Sequence, residues 1–465
     1  MTNFLMLLHR TVWGAPALLL ILSVGICLSI HTGFVQLTLF PRACKLFLKK
    51  LKVKIIPSDG VSPFQALCTA LAATVSTGNL VGVAGAICLG GPGAVFWMWF
   101  CGILGMVTKY AEVTLAIHYR VQSNGEYLGG PMYIISRGMG RQWSWLALVY
   151  CAFGMVAAFG VGNATQINAM LTGINDVLSR FDILPTPRRN FAIGMILAVM
   201  IGGMFFGGAK RIGTAAERLV PFVAVIYILL CCGVLLFRLN AVPSAFSAIV
   251  RGAFSPGAVT GGMIGASFRA LRVGCSRGVF INEAGMGTAS IAHAGASVEH
   301  PVEQGLMGIM EVFLDTILIC TLTALVILVS GVPIPYGQDV GGQLTSAAFV
   351  SVYGEGVSIV IAASLSCFAF ATVLGWGLYG ARCAQYLFGE NAWNYFMLLQ
   401  TVAVLLGAVM NTQTVWLLAE TVNGLMTIPN LIALAVLRPV LLRLTNEYRR
   451  IDGSTVNGGN YADFH

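Results

Sequence analysis

The chain has 465 residues, of which 57% are hydrophobic and only 10% charged, and its mean hydropathy is +0.82. Soluble domains carry about 25% charged residues, so a soluble globular protein is excluded and the chain reads as an all-α polytopic membrane protein. The net charge of +9 lies on residues scattered at the ends of apolar runs, with no basic stripe among aromatics, which speaks against nucleic acid as a partner.

In chain order, the apolar pattern predicts eleven transmembrane helices at about 11–38, 62–90, 93–119, 143–172, 190–208, 217–238, 257–292, 302–330, 346–386, 393–411 and 413–437. The first run lacks a small-x-small cleavage site and reads as a span, not as a signal peptide. Segments 257–292 and 346–386 exceed one crossing and must tilt, break or extend beyond the bilayer. Twelve cysteines form no CxxC pair and lie mostly in apolar runs, where they act as small hydrophobes.

Lys and Arg set the sidedness. "PRACKLFLKKLKVK" is strongly basic and expected inside, as is the "RPVLLRLTNEYRR" end. "GVPIPYGQDV" and "NTQT" carry neither residue and are expected outside. The loop with Arg180, Arg188 and Arg189 opposes the scheme, but the balance puts the N-terminus outside and the C-terminus in the cytoplasm. The end of the chain, "DGSTVNGGNYADFH", is polar and expected to be disordered.

An odd first helix followed by ten others suggests two halves of five. The expected organisation is an extra N-terminal helix (1–40), a basic cytoplasmic linker (41–61), a first repeat (62–240), an extracellular connection (241–256), a second repeat (257–445) and a polar tail (446–465). Each half opens on a Gly-interrupted helix: "STGNLVG" in the first and "GGMIGASF", Gly261 to Phe268, in the second. Paired interruptions of this kind point to a transporter of inverted-repeat design. A break in hydrocarbon strands amides and carbonyls unless it lines a cavity. The amides suit a carboxylate and the carbonyls a small cation, so a zwitterion would use both. Thr77 and Asn79 add side-chain oxygens and an amide. The same glycines also serve close helix crossing, and that reading stays open.

Elsewhere, Asn163 and Gln166 lie deep in an apolar helix, and Thr372 and Trp376 stand four apart on one face. Glu311 and Asp315 share a face of another span. Intramembrane charges mark function or pair with one another, and Lys109 or an Arg of 269–277 is the expected partner of Asp315. Ser-His-Asp and HExxH patterns are absent, so no enzyme is expected.

The blocks "STGNLVGVAGAICLGGPGAVFWMW", "GMVTKYAE", "GGPMYII", "RGVFINEAGMGTASIAHA" and "ATVLGWGLYG" resemble the alanine or glycine:cation symporter family, over about residues 10–445. The resemblance implies a leucine-transporter-type 5+5 inverted repeat with an extra N-terminal helix. It also implies Na⁺-coupled uptake of a small neutral amino acid (alanine, glycine or D-alanine) across a bacterial or archaeal cytoplasmic membrane. Na⁺ is then the co-transported ion, with no other cofactor and a monomer expected. The substrate backbone would lie near Ser76, Thr77, Gly78 and Asn79 and near Gly261, Gly262, Ile264 and Gly265. Gln166 would bond the substrate and Trp376 cap its side-chain end. Backbone carbonyls near Thr74 and Thr77, the carbonyl of Phe368 and the Thr372 hydroxyl are the implied Na⁺ ligands. The NEAGMG block, with Asn282 and Glu283, is read as inner-gate or packing hardware beyond the second break, and Asp315 as an ion or gate residue. Ser76 stands where the family usually has Gly, and Arg269 and Arg272 add charge beyond the family pattern. Glutamine as cargo, H⁺ coupling through Asp315, and a channel are the rivals.

Overall fold

The computed structural model describes residues 12, 14–52, 60–179, 181–254, 265–338, 341–410 and 413–456. In hydrocarbon each backbone amide and carbonyl must be paired within its own segment, which drives these apolar stretches into helices. The longer ones are α1 (Ala15–His31), α2 (Phe40–Lys52), α3 (Pro63–Thr74), α4 (Val83–Gly90), α5 (Gly93–Tyr119), α6 (Ser144–Phe159), α7 (Thr165–Ser179), α8 (Pro187–Phe205), α9 (Gly208–Phe237) and α10 (Val242–Phe254). There follow α11 (Gly265–Asn282), α12 (Thr288–His293), α13 (Pro301–Val312), α14 (Cys320–Val329), α15 (Gly342–Tyr353), α16 (Val357–Phe388), α17 (Ala392–Val409), α18 (Gln413–Val436) and α19 (Arg438–Val456).

Among the described residues, seven helical segments are long and apolar enough to cross a membrane, or nine if two bent pairs count as single spans. Eleven were expected. The difference lies in marginal segments: α1 has only 17 residues, and α11 carries Arg269, Arg272 and Arg277. The α3–α4 pair bends by 53° at its break. Large apolar side chains such as Leu229, Leu236 and Val199 point outward, as lipid-facing surfaces do.

Several connections are more ordered than the sequence suggested. Within the presumed linker, α2 is a helix packed on α13, with Phe40 edge-on to Phe313 at 5.0 Å and Lys50 3.7 Å from Glu303. The 241–256 connection holds α10. The long 346–386 segment is two helices, α15 and α16, parted where Gly354 takes φ +81°. Most of the expected disordered tail lies outside the described residues, but α19 runs on through Val456. A short hairpin, β1 (Val121–Ser123) and β2 (Glu126–Leu128), turns at Asn124-Gly125, both at positive φ as a tight two-residue turn requires.

Small residues let backbones touch. A Cβ on Gly93, the first residue of α5, would overlap the backbone of Gly252 in α10. Gly93→Ala should therefore force α5 and α10 apart, costing about 1–3 kcal/mol. The expected result is a lower thermal unfolding midpoint in detergent; an unchanged midpoint would mean that the contact gives way freely.

Candidate functional site

Four wide π-type turns occur among the described residues, and two of them, Gly78–Gly82 and Gly160–Ala164, contribute residues to the wall of one small cavity. Such turns add a residue to a helical turn and recur at functional sites. The cavity is about 80 Å³, several times the roughly 10–15 Å³ that one water needs. Its walls come from both large apolar clusters of the interior, with Ala73, Val161 and Trp376 from one and Ile281 from the other, so it lies at their seam.

Ser76, Thr77 and Gly78 of the first break line this cavity, together with Gln166, Thr372 and Trp376. The Thr77 hydroxyl donates to Gln166 Oε1 at 3.2 Å, and Gln166 Nε2 donates to the Val161 carbonyl at 3.1 Å. The break also pairs with itself. Ser76 N donates to Asn79 Oδ1 at 3.0 Å, and Gly78 N donates to Ser76 Oγ at 3.1 Å. Asn79 does not line the cavity. It turns the other way, and its Nδ2 donates to Asp315 Oδ1 at 2.7 Å, with both residues buried. Asp315 therefore pairs with a neutral amide of the break, not with Lys109 or a helix arginine as expected. Asn163 and Gln166 also part company, since Asn163 bonds Gln400.

Of the proposed cation ligands, Thr372 Oγ1 lies 3.0 Å from the carbonyls of both Phe368 and Ala72. A neutral-oxygen group is thus shared by α16 and α3, and the Ala72 carbonyl was not foreseen. The Thr74 hydroxyl donates to the Ala70 carbonyl at 3.3 Å. No cluster of three or more His, Cys, Asp or Glu among the described residues is arranged to hold a metal.

The second break expected at Gly261 to Phe268 falls partly outside the described residues. Gly261, Gly262 and Ile264 lie outside the described residues, and Gly265 opens the continuous helix α11. The described interruption is 283–287, inside NEAGMG, between α11 and α12. Here Glu283, Gly285 and Gly287 have φ of +53°, +95° and +77°. Glu283 lines the cavity beside Arg277, Phe280 and Ile281. Its Oε1 accepts Trp376 Nε1–H at 3.1 Å and its Oε2 accepts the Thr288 hydroxyl at 2.6 Å. Asn282, by contrast, caps the break, its Oδ1 accepting Ala284 N–H at 2.9 Å. The alternating Gly-x-Gly of NEAGMG was the overlooked signal.

Glu112 of α5 re-pairs this break from outside. Its Oε1 accepts Gly285 N–H at 2.8 Å, Gly287 N–H at 3.1 Å and Asn430 Nδ2–H at 2.7 Å. Beyond the break, His293 of α12 bonds Glu311 at 3.0 Å, and Glu311 lies 3.4 Å from Lys109 Nζ. Gln304 Nε2 faces both Pro63 O and His293 Nδ1, at 3.2 and 2.7 Å. Nδ1 is then the acceptor and Nε2 the donor of a neutral imidazole.

A helical membrane protein whose small, mostly apolar cavity with a few polar groups lies between two broken helices is built as a transporter. The fold superposes on the structure titled as MhsT in complex with L-phenylalanine, with a TM-score of 0.56 at 14% identity, covering 84% of this chain and 99% of that one. That likeness makes the architecture leucine-transporter-like. The chain belongs to the sodium:alanine symporter family, whose model matches residues 1–458. It is 41% identical to the sodium/alanine symporter AgcS of Methanococcus maripaludis, over 95% of each chain. It is 34% identical to a probable sodium/glutamine symporter, GlnT, of Bacillus subtilis, over 94% of this chain and 88% of that one.

Glu112→Ala would leave three buried donors without their acceptor, at about 1–3 kcal/mol each. The variant should lose most of its folded yield, whereas Glu112→Gln, which keeps one oxygen, should retain more. Size-exclusion profiles and thermal unfolding of the two variants check this order.

Proposed function

We propose that the protein is a secondary active symporter coupling Na⁺ entry to uptake of a small neutral amino acid, of the alanine and glycine class, into the cell. The observation that carries this reading is the 80 Å³ cavity between the two breaks, closed at one wall by the fully buried Trp376 indole. So small a space suits a substrate of a few heavy atoms. The Na⁺ would sit among Thr372 Oγ1 and the carbonyls of Phe368 and Ala72, because a hard cation takes oxygen ligands. Thr74 and Thr77 stay in this reading only through their backbone carbonyls. Each positive charge moved inward gains about 2.3 kcal/mol per 100 mV of membrane potential.

Two five-helix halves after an extra first helix, with the N-terminus outside and the C-terminus in the cytoplasm, complete the proposal. Alternating access follows from how the cavity walls are joined. Both breaks are bound to α5, α13 and the turn after α13 through Glu112, His293–Glu311 and Asn79–Asp315. Their polar links to α7 and α16 include Thr77–Gln166, Thr372–Ala72 and Trp376–Glu283. Three neutral or singly charged bonds can exchange for substrate contacts as one group rocks against the other. Asp315 keeps the first break in register, and the reading needs no proton from it.

Proteoliposomes loaded without sodium should accumulate labelled alanine when an inward Na⁺ gradient is imposed, with glycine and D-alanine competing. Uptake that follows pH and ignores sodium would retire the ion assignment, and preferential competition by glutamine would retire the cargo. Trp376→Ala should admit larger amino acids, improving their competition by about tenfold or more. A variant that still rejects them would remove the indole as the size limit.

A further inference from the structure

We infer that Glu283 receives the substrate ammonium group and thereby selects amino acids over carboxylates that lack an amine; this rests on the transport reading above. Among the residues lining the cavity, Glu283 is the one acidic side chain and Arg277 the one basic side chain. The neutral groups are largely engaged with one another: Thr77 with Gln166, Gln166 with Val161 O, and Thr372 with two carbonyls. An ammonium brings three donors and no acceptor, so it needs oxygen lone pairs that the wall has not already used.

Glu283 supplies them. Each carboxyl oxygen accepts one hydrogen bond, from Trp376 and from Thr288. A carboxylate has about four acceptor sites, which leaves capacity toward the cavity that the group lines. The side chain is only 4% exposed, so an ammonium bound there would be shielded from water and its charge-assisted bonds would be strong. Its backbone is held at φ +53°, a conformation rare for a residue with a Cβ and one that recurs at ligand clamps. The Glu112 grip on Gly285 and Gly287 keeps that turn in place. The same carboxylate fixes the Trp376 indole, so charge recognition and the size wall meet in one side chain.

The test uses the purified full-length protein in lipid nanodiscs with sodium present, and displacement of labelled alanine. Unlabelled alanine is compared with L-lactate, which carries a hydroxyl in place of the ammonium. In the wild type, lactate should compete at least about 100-fold more weakly than alanine, since charged hydrogen bonds of this kind discriminate by that order. Glu283→Gln keeps the shape and an acceptor for the indole. It should weaken alanine about tenfold or more and leave lactate unchanged, which shrinks the ratio. Trp376→Phe removes only the indole partner and should preserve the ratio. The inference is overturned if Glu283→Gln retains the wild-type ratio, or if Trp376→Phe shrinks it equally. Should Glu283→Gln not fold, the wild type decides alone, and lactate competing within tenfold of alanine overturns the assignment. A wild type that binds no alanine in sodium is a separate result: it removes the transport reading itself, and this inference with it.

Discussion

A backbone amide released from its helix inside hydrocarbon costs several kcal/mol unless something re-pairs it, and the arrangement of this protein follows from how its two breaks meet that cost. The first break is re-paired mainly from within, by the Ser76 hydroxyl and the Asn79 side chain acting on amides two and three residues away. The second does this only in part, through Asn282 Oδ1 on Ala284 N–H and Glu283 O on Met286 N–H, which leaves the amides of Gly285 and Gly287 to an outside partner. It borrows a single carboxylate oxygen from Glu112, which receives two of those amides and the Asn430 side chain. A buried acid in α5 is therefore explained by the main chain it serves, without a role in binding cargo.

These two solutions have different consequences for the cavity. A self-paired break presents little free main chain to a ligand, since Gly78 N–H already has the Ser76 oxygen. For a substrate carboxylate to use that amide, the serine hydroxyl must turn aside or join the new bond as a donor. A break paired from outside leaves its own side chains for the cavity, and Glu283 and Trp376 meet there. The polarity of the site is thus divided: neutral and exchangeable at α3, charged and fixed at the α11–α12 junction.

The sequence made the membrane helices legible because hydrophobicity and helix length are local properties. Most predicted segments correspond to helices within a few residues, and the first break was readable since Gly78-Asn79 interrupts a strongly apolar run. The second break was expected among the glycines of 261–268, of which Gly261 and Gly262 lie outside the described residues, and the interruption the structure describes is the one at 283–287. Glycine count is a poor guide in lipid, where glycines also serve close packing. What opens a helix is a partner for the freed amides, and that partner, Glu112, lies more than 170 residues away in sequence from Gly285. The partner of Asp315 was hidden for the same reason. Charge suggested a lysine or arginine, whereas the fold brings up Asn79, an amide 236 residues distant. Within the cavity itself, Gln166, Thr372 and Trp376 were named from sequence and all three line it, while Ala72 entered only through its carbonyl, which no side-chain pattern reveals.

The buried charges also constrain how the protein can move. Lys109 and Glu311 have almost no exposure, and separating this buried pair leaves an uncompensated charge at about 3–5 kcal/mol, while the neutral His293 adds a hydrogen bond from α12 to Glu311. Relative motion between α5, α12 and α13 is thereby opposed at every stage of a cycle. The seam at the cavity is joined instead by hydrogen bonds. Its bonds are a hydroxyl to an amide, a hydroxyl to a carbonyl and an indole to a carboxylate, each worth about 0.5–3 kcal/mol net and each replaceable by a ligand contact. On the proposed reading, motion is therefore least opposed along the seam where the substrate would sit. Cargo that replaces those bonds alters the balance between the two groups of helices, and an empty cavity leaves them latched to each other. On that reading coupling needs no long-range signal, because the contacts proposed to bind the substrate are the same contacts that hold the two groups of helices together.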